Sequence, residues 1–223
     1  LLQYANLEFK LGRVSQSEIL FRRVLKKQPD FTSAFLGIGK CKLASGKTNE
    51  ARVAFVNSIL LDPEFLKGWK QLADVYKETG EERLRINALK RYLSILPTDT
   101  HSWEELLAEL WKIRRLEEAF LLLQGNQKKI TSPQSCLLSA RICYELKYFE
   151  IATWFIKMGI SLGGNLSELY LLRGNLKVLD KDFTAAVSDY QEALEINPLS
   201  AEAFSNTVNC KVLFCKARSQ YTL

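Results

Sequence analysis

The chain has 223 residues, 47% hydrophobic and 25% charged, with a formal net charge of +6. This is the balance of an ordinary soluble globular protein. No apolar run is long enough to cross a membrane, since Leu116 to Leu123 is short and carries Glu117 and Glu118, so no membrane partner is expected.

Taken in order, the apolar periodicity predicts helix pairs at 1–11 and 15–27, 33–45 and 49–61, 67–79 and 83–95. It continues with pairs at 101–113 and 117–127, 135–146 and 149–161, and 168–180 and 184–196, then a last helix over 202–219. Pro29, Pro63 and Pro97 close the first three pairs at an interval of 34 residues, and Pro198 closes the sixth. Proline ends a helix because it lacks an amide donor and restricts the residue before it. Gly12, Gly46 and Gly80 fall on the tight turn inside each pair, where a left-handed backbone favours glycine. Arg114 and Lys147 stand where the fourth and fifth turns should carry glycine. Gly125-Asn126 and Gly163-Gly164-Asn165 interrupt the ends of the fourth and fifth second helices.

A fixed period of this length marks stacked repeats. Before Pro63 run Phe35, Ile38-Gly39, Gly46, Ala51 and Phe55. Before Pro97 run Trp69, Leu72-Ala73, Tyr76, Gly80 and Leu89. Before Pro198 run Tyr170, Arg173-Gly174, Ala186, Tyr190 and Ala193. An earlier copy shows Ala5, Phe9, Gly12 and Phe21; later ones show Trp103, Leu106 and Ala119, then Ala140, Tyr144 and Ala152. These residues resemble the tetratricopeptide repeat (TPR), whose pattern is W-x2-L-G-x2-Y, then A-x3-F, then P. Pentatricopeptide repeats are the nearest alternative, but their period is one residue longer and they lack this glycine and proline punctuation. Small residues at Gly39, Ala73, Ala140 and Gly174 let two helices approach closely. Ala51, Ala119, Ala152 and Ala186 do the same on the second helices.

The resemblance implies an all-α fold, a right-handed α-solenoid superhelix of about six helix-turn-helix repeats with a C-terminal helix. The expected repeats are 1–31, 32–65, 66–99, 100–132, 133–166 and 167–200, with the terminal helix at 201–220. We expect one array over 1–223, belonging to a longer protein. The terminal helix would cap the stack, although Val212, Leu213 and Phe214 are apolar for a cap.

Nothing in the residues points to catalysis. His101, the sole histidine, falls in the first turn of a helix, and no nucleophile–base pair or phosphate-binding glycine loop is present. The five cysteines, Cys41, Cys136, Cys143, Cys210 and Cys215, form no Cys-x-x-Cys pair. We therefore expect no metal and no cofactor, and read the cysteines as small buried residues of a reducing compartment, cytoplasmic or nuclear. Most aromatics, among them Phe35, Phe55, Trp69, Tyr76, Trp103 and Tyr190, fall in repeat slots and are expected in the core.

All the excess positive charge lies in residues 1–115, where 20 Lys and Arg face 14 Asp and Glu. Arg22, Arg23, Lys26 and Lys27 form one cluster; Arg83, Arg85, Lys90 and Arg91 form another. Each reads either as a solvated outer face with cations near helix C-termini or as a surface for an acidic partner or nucleic acid.

In the family, first helices line a concave groove where ligands bind. The resemblance places Asn6, Lys40, Lys67, Lys70, Gln71, Asp74 and Lys77 on its early part. Trp111, Leu137, Leu138, Arg141, Tyr144, Leu171, Leu172, Asn175 and Asn206 fall on its later part. Lys67, Lys70 and Lys77 are expected to meet acidic or main-chain groups. Leu137, Leu138, Leu171 and Leu172 anchor an apolar segment, or, with the register shifted by one, belong to the core. Trp111, beside Lys112, is the aromatic expected to meet a partner. The carboxylate clamp by which some members hold heat-shock chaperone C-termini is not reproduced. Asn6 and Lys67 match it, but Leu2, Gly37 and Gln71 stand where it needs lysine, asparagine and arginine. Asn175 and Asn206 match its asparagines and suit the backbone of an extended peptide instead. The expected function is a non-enzymatic scaffold holding a peptide or partner subunit within a multiprotein assembly. Alternatives are a nucleic-acid-associated subunit using the basic half, and self-association through the ends of the stack.

Overall fold

The computed structural model describes residues 1–126 and 130–220, with the backbone alone for 216–220. Among the described residues are thirteen α-helices and no strand. The chain divides into two compact units, Leu1–Glu109 and Leu110–Leu223. The first holds α1 (Leu2–Lys10), α2 (Val14–Lys27), α3 (Thr32–Ala44), α4 (Thr48–Leu61), α5 (Leu66–Thr79) and α6 (Glu82–Ile95). The division falls inside α7 (Thr100–Lys112). The second holds α8 (Leu116–Asn126), α9 (Pro133–Glu145), α10 (Phe149–Ser161), α11 (Ser167–Leu179), α12 (Phe183–Ile196) and α13 (Ala201–Gln220). Every boundary lies within two residues of its predicted place; the predicted end of the eighth helix at 127 lies outside the described residues.

The helices stop where backbone chemistry makes them stop. Gln28, Asp62, Leu96 and Asn197 each precede a proline and are driven out of the helical region, to φ −137°, −140°, −121° and −132°. Gly12, Gly46 and Gly80 turn the chain at φ 76°, 72° and 72°. Arg114, Lys147 and Lys181 take the same left-handed conformation at φ 62°, 63° and 61°. The turn is therefore kept where glycine is lost, at a strain of about 1–2 kcal/mol per residue. At the start of α9, Ser132 and Ser135 form a reciprocal capping box ahead of Pro133.

Five of the six pairs repeat one contact slot. Ala5, Gly39, Ala73, Ala140 and Gly174 on the first helices are all buried. Sixteen residues after each stands a buried bulky residue: Phe21, Phe55, Leu89, Ile156 and Tyr190. The fit is tight at the glycines. A Cβ at Gly39 would lie 2.2 Å from the Phe55 ring, and one at Gly174 would lie 2.5 Å from the Tyr190 ring. Phe21 finds its glycine one repeat on, where a Cβ at Gly37 would lie 2.3 Å from its ring. The expected burial of Phe55, Trp103 and Tyr190 holds, whereas Phe35, Trp69 and Tyr76 are half-buried. Each keeps an edge at the surface.

Two substitutions test these constraints. Gly174→Ala should destabilise the chain by about 1–3 kcal/mol through overpacking against Tyr190. Lys181→Gly should stabilise it by up to about 1 kcal/mol by relieving the left-handed turn. Urea unfolding followed by circular dichroism reads both; unchanged midpoints would contradict the account.

Candidate functional site

On the first unit, the first-helix face carries a charge network rather than free lysines. Lys70 Nζ donates to Glu105 Oε2 at 2.7 Å and to Ser102 Oγ at 2.9 Å, and sits 5.6 Å from the Tyr92 ring centroid. Lys77 reaches the other oxygen of Glu105 at 3.8 Å. Gln71 donates to Asp74 at 3.2 Å. Of the three lysines expected to contact a partner, Lys70 and Lys77 are thus already paired, and Lys67 is exposed. Asn6 is exposed and Lys40 half-buried.

Beneath this face lies Arg85, only 5% exposed. Its guanidinium donates to Glu105 at 3.0 Å and also to Glu109. The expectation that Arg85 belongs to a surface basic cluster is therefore corrected. The signal was available: Arg85 stands 34 residues from both Ala51 and Ala119, in the small-residue slot of the second helix. The first repeat has Ser17 there, fully buried and donating to the Ala5 carbonyl at 2.8 Å. An arginine in this slot needs acids, and α7 provides them. Arg83 and Arg91 do stay exposed, with Arg91 5.9 Å from the Trp69 ring centroid. In the other cluster all four cations are exposed, and Arg22 pairs with Glu18 at 2.8 Å.

Burial works to raise the Glu105 carboxyl. The hydrogen bond from Lys70 and the charges of Lys70 and Arg85 outweigh it and hold the group below its ordinary 4.5. For Asp74 burial wins, and its carboxyl is raised.

The second unit offers a different face. Trp111 is half-buried and donates from Nε1 to Glu145 at 3.0 Å; Arg114 also pairs with Glu145. Arg141 lies 5.9 Å from the Trp111 ring centroid and has no carboxylate partner among the described residues. One turn further along α9, Tyr144 opens onto a cavity of about 360 Å³. Asn175 from α11, Tyr190 from α12, and Asn206 and Asn209 from α13 also line it. Tyr190 reaches past Gly174 to donate to Asn175 Oδ1 at 2.8 Å, and Asn206 Nδ2 donates to the same oxygen at 3.2 Å. Asn175 Nδ2 and Asn206 Oδ1 then remain, one donor and one acceptor, without a protein partner among the described residues.

The leucines need correction. Leu137, Leu171 and Leu172 are 9%, 6% and 8% exposed. Leu171 belongs to a core cluster with Ala186, Tyr190, Ala193 and Ala203. Side chains covered to this degree have little surface left for a partner; Leu138 alone of the four is half-exposed. The buried alternative holds for the other three.

A family model described as tetratricopeptide repeat matches residues 167–198, the α11–α12 pair. The fold is a tetratricopeptide-repeat fold. The crystal structure of YrrB, described as a TPR protein with an unusual peptide-binding site, superposes with a TM-score of 0.69 at 11% identity. That match covers 83% of this chain and 96% of YrrB. The chain is 42% identical to the Arabidopsis thaliana "Protein CTR9 homolog" over 65 residues, 29% of this chain and 6% of that protein. It is 21% identical to the Saccharomyces cerevisiae "Peroxisomal targeting signal receptor" over 192 residues, 84% of this chain and 26% of the receptor. The chain thus spans about a quarter or less of the length of these two relatives. Among the described residues no helix is long and apolar enough to cross a membrane.

Arg85→Ala should cost roughly 3–5 kcal/mol, because it strands Glu109 in a buried setting while Glu105 keeps Lys70; adding Glu109→Gln should recover part of the loss. Glu105, with its folded pKa depressed, stabilises the chain above about pH 4.5, and that contribution is lost as the pH falls through the lowered value. Glu105→Gln should therefore flatten the acid limb of the stability profile. Asp74→Asn should raise stability at pH 7, since Asp74 carries the opposite sign. Urea titrations at several pH values check all three.

Proposed function

We propose that the chain is a non-enzymatic scaffold that holds an extended segment of a partner polypeptide on the first-helix face of the second unit. The observation that carries this reading is the cavity between α9, α11 and α13, with its amide pair of Asn175 and Asn206. A peptide backbone presents alternating carbonyl and amide groups. Asn175 Nδ2 and Asn206 Oδ1 match one of each, and Asn209 and Tyr144 extend the polar lining. An amide ladder of this sort binds main chain with little regard for sequence. Selectivity then comes from the ends of the cavity. Arg141, with its guanidinium 5.9 Å from the Trp111 ring centroid and lacking an acid of its own among the described residues, suits a carboxylate on the bound segment. Leu138, half-exposed on α9, completes the set of groups that we assign to partner contact; Lys67, Asn6 and Lys40 belong to the first unit and are not part of this site.

The peptide-binding description of YrrB supports the reading by likeness of fold. The nucleic-acid alternative keeps the exposed cluster Arg22, Arg23, Lys26 and Lys27 but loses Arg85, which is buried, and several other cations of the first unit are paired internally. Lys42 bridges Glu18 and Glu50 at 3.0 and 2.8 Å, Arg52 meets Glu81 at 3.0 Å, and Lys70 and Arg85 converge on Glu105.

The test is affinity purification of the chain beside an Asn175→Ala, Asn209→Ala variant and a Lys67→Glu variant, read by quantitative mass spectrometry after circular dichroism has shown equal helicity. The reading expects the same proteins to fall by about tenfold or more, equivalent to about 1.4 kcal/mol, in the asparagine variant, with no change for Lys67→Glu, which lies on the first unit. Equal recovery in all three would overturn it.

A further inference from the structure

We propose that the furrow between α2 and α4, over α3 in the first unit, binds an acidic peptide segment through one aromatic side chain. The site stands apart from the cavity of the second unit and shares no residue with it.

The space follows from two shortened residues. Phe35 and Asn57 stand 34 residues before Trp69 and Arg91, so the α3–α4 pair repeats the α5–α6 pair with a smaller ring and a shorter polar chain. In the α5–α6 pair the Arg91 guanidinium lies 5.9 Å from the Trp69 ring centroid. In the α3–α4 pair Phe35 and Asn57 instead line a cavity of about 320 Å³, together with Arg22, Leu25, Ile38 and Val53. Leu25 and Phe35 are half-buried and Val53 is 59% exposed, so apolar surface is open to solvent on the walls from all three helices. The cavity lies between two neighbouring hairpins that are already packed together, and no helix of the repeat is left to fill it.

Charge around the cavity selects the occupant. At one end Lys42 bridges Glu18 and Glu50 at 3.0 and 2.8 Å, Arg22 holds Glu18 at 2.8 Å, and Lys47 stands 3.7 Å from Glu50. Both acids are thus matched. Lys26 follows Leu25 of the cavity wall and lies one turn beyond Arg22, with Arg23 and Lys27 beside it. These three cations are exposed and have no carboxylate partner among the described residues. A peptide with carboxylates next to an aromatic residue meets them while its ring enters the cavity against Phe35. A nucleic-acid strand would use the cations without needing the cavity. A neutral apolar segment would use the cavity without needing the cations. The acidic segment with an aromatic anchor is the occupant that uses both.

The test titrates the whole chain into fluorescently labelled peptides rich in Glu and Asp, with one variable central residue, and follows anisotropy. The peptide with Phe at that position should bind about tenfold more tightly than the one with Ala. Replacing its acids by Gln should weaken it about threefold or more, as should Arg23→Gln with Lys26→Gln in the chain. Asn57→Arg installs the residue that the next repeat carries at the same place. It should close the cavity and abolish the preference for Phe, with helicity by circular dichroism unchanged. Asn175→Ala, in the other unit, should leave binding as it was, which separates this site from the cavity proposed above. Equal binding of the Phe and Ala peptides would overturn the anchor, and a Phe preference that survives Asn57→Arg would overturn the cavity as its seat. A single-stranded oligonucleotide that binds where the Phe peptide does not would overturn the proposal and assign the cations to nucleic acid.

Discussion

The close approach of two helices across one small residue is the constraint on which the rest depends. It is made wherever Gly39 faces Phe55 or Gly174 faces Tyr190. Because the bulky residue of the second helix plugs into the first, the turn between them has no freedom. The chain keeps a left-handed turn even at Arg114, Lys147 and Lys181, where no glycine relieves it. Packing that fixes the hairpin outweighs about 1–2 kcal/mol of local strain. The prolines then fix where α2, α4, α6 and α12 end, so these hairpins hand the chain on at the same point of the period.

The same constraint explains the chemistry left at the surface. Tyr190 is placed by Gly174, and its hydroxyl lands on Asn175 because the ring has one way in. That bond and the one from Asn206 orient the amides and leave one donor and one acceptor facing the cavity. In the first unit, the second-helix slot holds Arg85 instead of a small residue. Its charge draws in Glu105 and Glu109, and Glu105 in turn draws in Lys70 and Lys77. A face that reads as basic from composition is close to neutral once these pairs are formed. The two units thus present different faces from one repeat plan.

Much of this was legible in the residues. Thirteen helices, their ends and the turn positions follow from the 34-residue interval, because proline and glycine act on the backbone locally. What was not legible depended on direction and partners. Leu137, Leu171 and Leu172 share the groove register but point into packing, a matter of a fraction of a helical turn that periodicity does not resolve. Arg85 looked like surface because arginine normally is; only its alignment with Ala51 and Ala119 betrays burial. Asn175 and Asn206 were expected to meet a peptide, yet part of their capacity is spent on each other and on Tyr190. Arg141 and Trp111 are far apart in sequence, and the approach of the guanidinium to the ring is set by how α9 packs.

The central claim is that a partner polypeptide lies across the amide-lined cavity of the second unit. The most direct measurement is photo-crosslinking from a benzophenone side chain at Asn209, compared with one at Leu60, which is 73% exposed on a second helix. Crosslinks from position 209 to a short, contiguous stretch of one protein, absent from position 60 and lost with Asn175→Ala, are the result this account predicts. Crosslinks from position 60 with none from 209 would contradict it and place the partner on the second-helix face.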